Sequence, residues 1–361
     1  MAALPAELVR TLTGSAVRPY LTDATETRGV RGRADAVALP ADAEEVRRVV
    51  EWCYEHDVPV VPRGGGSGYA GGAVPDGGVV LSLERLRRVR SIEPLLWRAE
   101  LEAGVVTAEV RRRARSEGLW LPLDPGAAEQ SQIGGNVATN AGGPHAFKYG
   151  TARAWVTGIE AVMAPGELVQ TSGFARKDVA SYDLTGLLCG SEGTLGVITA
   201  VRLRLVPPPE ASIPVAAAFA DAAAGCAAVL RVLGSGLQPA TLEYLDGGAL
   251  AAASNGYPGR LGGPAGFLVI AVADGSAQEA RRVAAELREA LGEDALSVDE
   301  PPPGELARWR DGVSLAVVAQ RAGQLAAVAG RRARVALDVA QQREARAVAP
   351  GRRQRARIEE L

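Results

Sequence analysis

Histidine is nearly missing from this chain. His56 and His145 are the only two, neither at a metal-binding spacing from the other, which excludes a histidine-rich metal site. Cysteine is scarce too: Cys53, Cys189 and Cys226 are far apart and make neither a disulfide framework nor a cluster ligand set. A reduced, cytoplasmic protein is expected, with any attachment to a membrane peripheral and through a partner. Lysine occurs only as Lys148 and Lys177, and the formal net charge is −2, which argues against a broad nucleic-acid-binding surface. No apolar run reaches about 18 residues, so no membrane span is expected. The start, Met1-Ala-Ala-Leu-Pro5, lacks a cationic segment followed by an apolar block, so no signal peptide is expected. Gly-Lys-Ser/Thr is absent, which excludes a P-loop.

Glycine is abundant, and it is concentrated. After the apolar run Val58–Val61 come Pro62 and Arg63, then six glycines within Gly64–Gly72. Without Cβ atoms, consecutive residues can turn their amides inward into a nest that binds an anion such as phosphate. Arg63 is expected to add a donor fork at the rim. A loose glycine hairpin between two strands is the plainer alternative. Gly66-Ser-Gly68-Tyr-Ala-Gly71 satisfies G-x-G-x-x-G, but Pro75-Asp-Gly-Gly78 and the strand-like Val79–Leu83 follow it. No helix can start there, so a nicotinamide-type dinucleotide fold is rejected.

The remaining pattern reads as α+β. Residues 42–56 have an apolar helical face, Asp42 as N-cap and Glu45 placed for a capping box. Trp97–Val106 reads as a strand, and Thr107 as the cap of a helix over 108–117 closed by Gly118. From Ile133 to Gly143 large side chains almost vanish, which suits a flat ligand or a tight helix crossing. Asn136 and Asn140, four apart, are expected on one side of a short helix. A hairpin turns at Pro165-Gly166, and Gly190–Gly196 leads into a strand over 197–206. Pro207-Pro-Pro209 marks a domain boundary. Beyond it the order is strand 213–219, helix 221–234, strand 240–245, short helix 247–254, strand 266–273, helix 276–291 and strand 295–299. That is a ferredoxin-like β-α-β-β-α-β unit.

Three segments, Val61–Gly68, Ile133–Pro144 and Gly190–Val197, resemble in order and flanks the FAD-linked oxidases of the p-cresol methylhydroxylase and vanillyl-alcohol oxidase type. The likeness is closer to the branch that holds the D-type subunit of glycolate oxidase and D-lactate dehydrogenase, and it covers roughly residues 30–320. It implies a two-part FAD-binding domain over 1–207, with subdomains 30–104 and 105–207. An incomplete ferredoxin-like cap follows over 208–322, then an atypical tail over 323–361. In such proteins the first loop wraps the FAD pyrophosphate, so Pro62, Arg63, Gly64, Gly65, Gly66, Ser67, Gly68 and Gly71 are implied cofactor contacts. Ser131, Gly134, Gly135, Asn136, Asn140 and Gly142 are implied along the flavin and ribityl chain, and Glu192, Gly193 and Ile198 near the nucleotide end. Ser67 stands where several relatives carry the histidine that bonds to flavin, which implies non-covalent FAD.

The implied reaction is dehydrogenation of a small 2-hydroxy acid of the D-lactate or glycolate class to the 2-oxo acid. Leu306-Ala-Arg-Trp-Arg310 resembles the segment whose arginine holds the substrate carboxylate, making Arg310 the implied clamp and Ser314 a neighbouring hydrogen-bonding group. Electrons then pass to a quinone, a cytochrome, an iron–sulfur partner or oxygen. Relatives also carry a late histidine motif that supplies the base and, in some, metal ligands. No histidine follows His145 here, so His145 is the sole histidine candidate for that role and no metal is expected. Residues 331–361 hold nine arginines, four acids and no aromatic. A frameshifted or truncated reading frame is the expected origin, ahead of a basic nucleic-acid tail. The alternatives are a non-catalytic flavin-binding subunit and a sugar or other oxidoreductase of the same fold.

Overall fold

In the computed structural model, residues 4–173, 180, 182–314 and 316–320 are described. The expectations for 323–361 lie outside them. Ala36–Ala38 and Val79–Ser82 are buried at every position, as strands covered on both faces must be. They pair in parallel, and Val79–Ser82 also pairs in parallel with Val60–Arg63. Thr11–Leu12 completes the first sheet at its edge. Parallel neighbours need a long crossover, normally a helix. Between Arg63 and Val79 that crossover is the glycine loop itself, with no helix, which bears out rejection of the nicotinamide fold.

Helix Ala43–Glu55 packs Val46, Val49, Val50 and Cys53 into the core. Asp42 accepts the Glu45 amide at 2.8 Å, and Glu45 reaches back to the Ala41 amide at 2.8 Å, one residue before the N-cap. The second sheet is antiparallel, in the spatial order Val89–Glu93, Arg98–Glu102, Val197–Arg204, Val156–Met163 and Glu167–Gln170. This corrects the subdomain break expected at 104/105. Arg98–Glu102 pairs with Val197–Arg204 and Val89–Glu93 pairs with Arg98–Glu102, so the chain leaves the first sheet after Ser82. Pairing partners distant in sequence decide which sheet a strand joins, and local pattern does not encode them.

The second domain follows the expected order closely. Its strands run Thr241–Asp246, Phe267–Gly275, Ala211–Phe219, Ser297–Asp299 across an antiparallel sheet, the ferredoxin-like arrangement. Helices Ala222–Gly234 and Ala277–Gly292 cover one face through Phe219, Val269 and Leu287. Residues 303–314 form a helix over the other face, where Leu306 is 4% exposed against Ala216, Ala218 and Ile270. Trp309 joins that contact, and its indole N–H donates to the Ala253 carbonyl at 2.7 Å. The two domains are clasped at Asp274. Its carboxylate accepts Lys148 Nζ and the Tyr149 hydroxyl, each at 2.5 Å.

Candidate functional site

A cavity of about 1400 Å³ runs from the glycine loop, between the two sheets of the first domain, to the helix of residues 303–314. Ordinary ligand pockets hold about 300–1,000 Å³, so this one suits a dinucleotide with a small second ligand. Among the described residues, no amide from Gly64 to Gly72 donates to a protein acceptor. Loop amides left unpaired beside a cavity are donors awaiting an acceptor from outside the chain. The cradle also depends on missing Cβ atoms. At Gly65 one would strike the Gln130 carbonyl, and Gly66 has φ +64°, where a Cβ would strike the Arg63 guanidinium. Gly64 and Gly135 face one another across the cradle, where a Cβ on Gly64 would make only ordinary contact, 3.5 Å from the Gly135 Cα. Gly134 rests on Ala103, which a Cβ would approach to 2.5 Å. These features fit the pyrophosphate and ribityl chain of FAD.

Pro62, Arg63, Gly64, Gly65, Gly66, Ser67 and Gly68 all reach the cavity wall, whereas Gly71, at φ +85°, shapes the loop behind it. Arg63 differs from expectation. It is only 9% exposed and sits beneath the loop, donating to the Ala73 carbonyl at 3.2 Å with its guanidinium over the Tyr20 ring. It pins the nest from behind as well as lining it. Burial depresses its pKa, and Asp23 opposes that most.

Ser131, Gly134, Gly135, Asn136 and Gly142 line the middle. Thr107 is not the cap expected, for its hydroxyl lies 2.8 Å from that of Ser131 and accepts the Asn136 amide group at 2.5 Å. A three-residue polar chain thus fixes the buried Asn136. Asn140 departs from the expected shared face. The helix is Ile133–Ala138, and Asn140 lies beyond it at φ +48°. Its Oδ1 accepts the Arg153 amide at 2.9 Å, so the side chain secures the following turn and is not on the cavity wall. Glu192, Gly193 and Ile198 do line it. Glu192 is held at φ +55° by its amide, which donates to the Ala138 carbonyl, and Gly193 at φ +75° abuts the Pro62 ring.

At the far end Arg310 and Ser314 lie together on the wall. The reason is helical spacing. Leu306, Trp309 and Val313 form the stripe against the cap sheet, which turns positions 310 and 314 to the adjacent face. Arg310 lies 3.7 Å from Asp124 and 3.9 Å from Glu243. Asp124 also accepts Arg111 at 2.6 Å. His145 does not reach the wall. It sits behind Pro144, edge-on to Trp120, with Nδ1 3.5 Å from Asp124, too far for a hydrogen bond to it. Burial holds its imidazole below the usual range against the pull of Asp124.

Sequence reading passed over Glu243, Asp124 and Arg111. Glu243 had a usable signal: in strand Thr241–Asp246 it shares the inward phase with the buried Thr241 and Leu245. Among the described residues no group of three or more His, Cys, Asp or Glu is placed to hold a metal, and no helix is long and apolar enough to cross a membrane.

Residues 34–172 match the family described as FAD binding domain, and residues 208–348 match FAD linked oxidases, C-terminal domain. The chain is 40% identical over 228 residues to glycolate oxidase subunit GlcD of Bacillus subtilis, covering 63% of this chain and 48% of that protein. It is 43% identical over 178 residues to D-2-hydroxyglutarate dehydrogenase of Xanthomonas citri pv. viticola (49% and 38% covered). With D-lactate dehydrogenase of Anaerostipes hadrus it shares 34% over 217 residues (60% and 46%). The chain spans about half the length of such relatives. A solved alkyldihydroxyacetonephosphate synthase superposes with TM-score 0.71 at 20% identity, over 86% of this chain and 61% of that one, which shows the shared fold.

Proposed function

Since this chain belongs to the FAD-linked oxidases, we propose that it binds FAD non-covalently and dehydrogenates a small 2-hydroxy acid to the 2-oxo acid. Bound flavin supplies the two-electron oxidant. The chain's residues supply grip, orientation and charge. The unpaired amides of the glycine loop carry the cofactor half of this reading. Hydrogen bonds to charged groups are worth about 1.5–3 kcal/mol each, so several amides hold a diphosphate without a lysine.

The observation that carries the substrate half is Arg310 on the same cavity wall as the glycine loop. Its planar fork suits a carboxylate bidentately. Its present partners are weak, at 3.7 and 3.9 Å, with an exposed contact to Asp311 at 3.0 Å, so an incoming carboxylate competes well. Ser314, one turn on, faces the same space. Two relatives named for D-lactate and D-2-hydroxyglutarate support this substrate class. An electron-accepting partner completes the cycle: a quinone, a cytochrome or an iron–sulfur protein. Anaerobic mixing of the holoprotein with D-lactate, glycolate and D-2-hydroxyglutarate tests the reading. Bleaching of the flavin band by one of them is expected, and an unchanged band with all three contradicts it.

A further inference from the structure

We propose that Glu243, contributed by the cap, takes the hydroxyl proton when the 2-hydroxy acid is oxidised, in place of any histidine. This rests on the function proposed above. Glu243 lines the cavity next to Arg310, and its Oε2 is buried with no hydrogen-bond partner. A buried carboxylate oxygen without a donor is costly to keep, while the side chain as a whole keeps 34% of its surface exposed and lines the same cavity as Arg310. Two neighbouring titratable groups among the described residues are placed or committed elsewhere. His145 is behind Pro144, and Asp124 is occupied by Arg111, His145 and Arg310.

The surroundings suit a base. Arg310 and Asp311 face Glu243 from the helix of residues 303–314, and Asp124 faces it from the loop of the first domain. Across the sheet its neighbour is the apolar Ile270. Lys148 and Tyr149, on the helix Ala146–Tyr149, are spent on Asp274. Burial, helped by Asp124 and Asp311, outweighs Arg310 and raises the Glu243 pKa, which brings a carboxylate nearer to the value a general base needs at neutral pH. In the step, the O–H bond breaks and its proton goes to the Glu243 carboxylate. The C2–H bond breaks with its electron pair, which passes as hydride to FAD, the oxidant. The C2=O double bond forms, and Glu243 later returns the proton to water.

Two readouts on the holoprotein test this. The first is binding of 2-hydroxy-2-methylpropanoate, which has no C2–H to lose, against 2-methylpropanoate, which has no hydroxyl. Wild type is expected to prefer the hydroxy acid about tenfold, the worth of one hydrogen bond to a charged group, and E243L to show no preference. The second is anaerobic bleaching, expected to slow by about 10²–10⁴ in E243Q while E243Q still binds the hydroxy acid. Wild-type bleaching with an equal rate in E243Q, or a preference retained in E243L, overturns the role of Glu243 and leaves the proposed function standing. Failure of wild type to bleach overturns both.

Discussion

Single atoms decide the cofactor cradle. Gly65 has its Cα against the Gln130 carbonyl, so even a methyl group must push that backbone aside. G65A is expected to weaken FAD binding about ten- to hundredfold through loss of one or more charged hydrogen bonds, read by fluorescence titration of apoprotein, while the fold survives by circular dichroism. Unchanged affinity would show that the loop does not hold the cofactor. His145 offers a pH-dependent check. Its folded pKa lies below its ordinary value of about 6.5, so the unfolded chain binds the proton more readily. Its contribution to stability is present above that value and is lost as pH falls through the folded one. Replacing it with Asn is expected to flatten the fall in urea-unfolding stability just below about pH 6.5; an identical slope in H145N contradicts the burial argument.

At the scale of elements, the helix of residues 303–314 shows how packing aims chemistry. Leu306 is 4% exposed. L306A is expected to cost about 2–5 kcal/mol in urea unfolding and to loosen the mounting of Arg310, so that carboxylate affinity falls with stability; a cost within experimental error contradicts the packing described. The cap's strands and helices were legible because each carries its own apolar period and caps, such as Asp221 accepting the Ala224 amide at 3.0 Å. The glycine loop was legible because composition alone dictates it. What local pattern could not supply was sheet membership for residues 89–102, which rests on the pairing of Arg98–Glu102 with Val197–Arg204. Nor could it show that Asn140 falls past the helix end, or that Thr107 turns its hydroxyl to Asn136 instead of capping. Glu243 was readable in principle, as a lone carboxylate in the inward phase of a strand, but only the fold says what it points toward.

For the molecule as a whole, the site exists only while the two domains stay together, since the glycine loop and Arg310 come from opposite ones. Asp274 is the clasp, 5% exposed and gripping both Lys148 and Tyr149. Removing one partner of a buried charge pair costs about 3–5 kcal/mol. D274N is therefore expected to raise hydrogen exchange across residues 146–149 and along strand Phe267–Gly275 while leaving the first sheet protected. Equal protection in wild type and variant contradicts the clasp.

Everything else depends on the larger cavity holding a flavin dinucleotide by main-chain donors and without a covalent bond. Titration of folded apoprotein with FAD, followed by acid precipitation, measures that directly. Saturable uptake with the yellow colour recovered in the supernatant is the expected result; no uptake by the folded chain, or colour retained in the pellet, contradicts it.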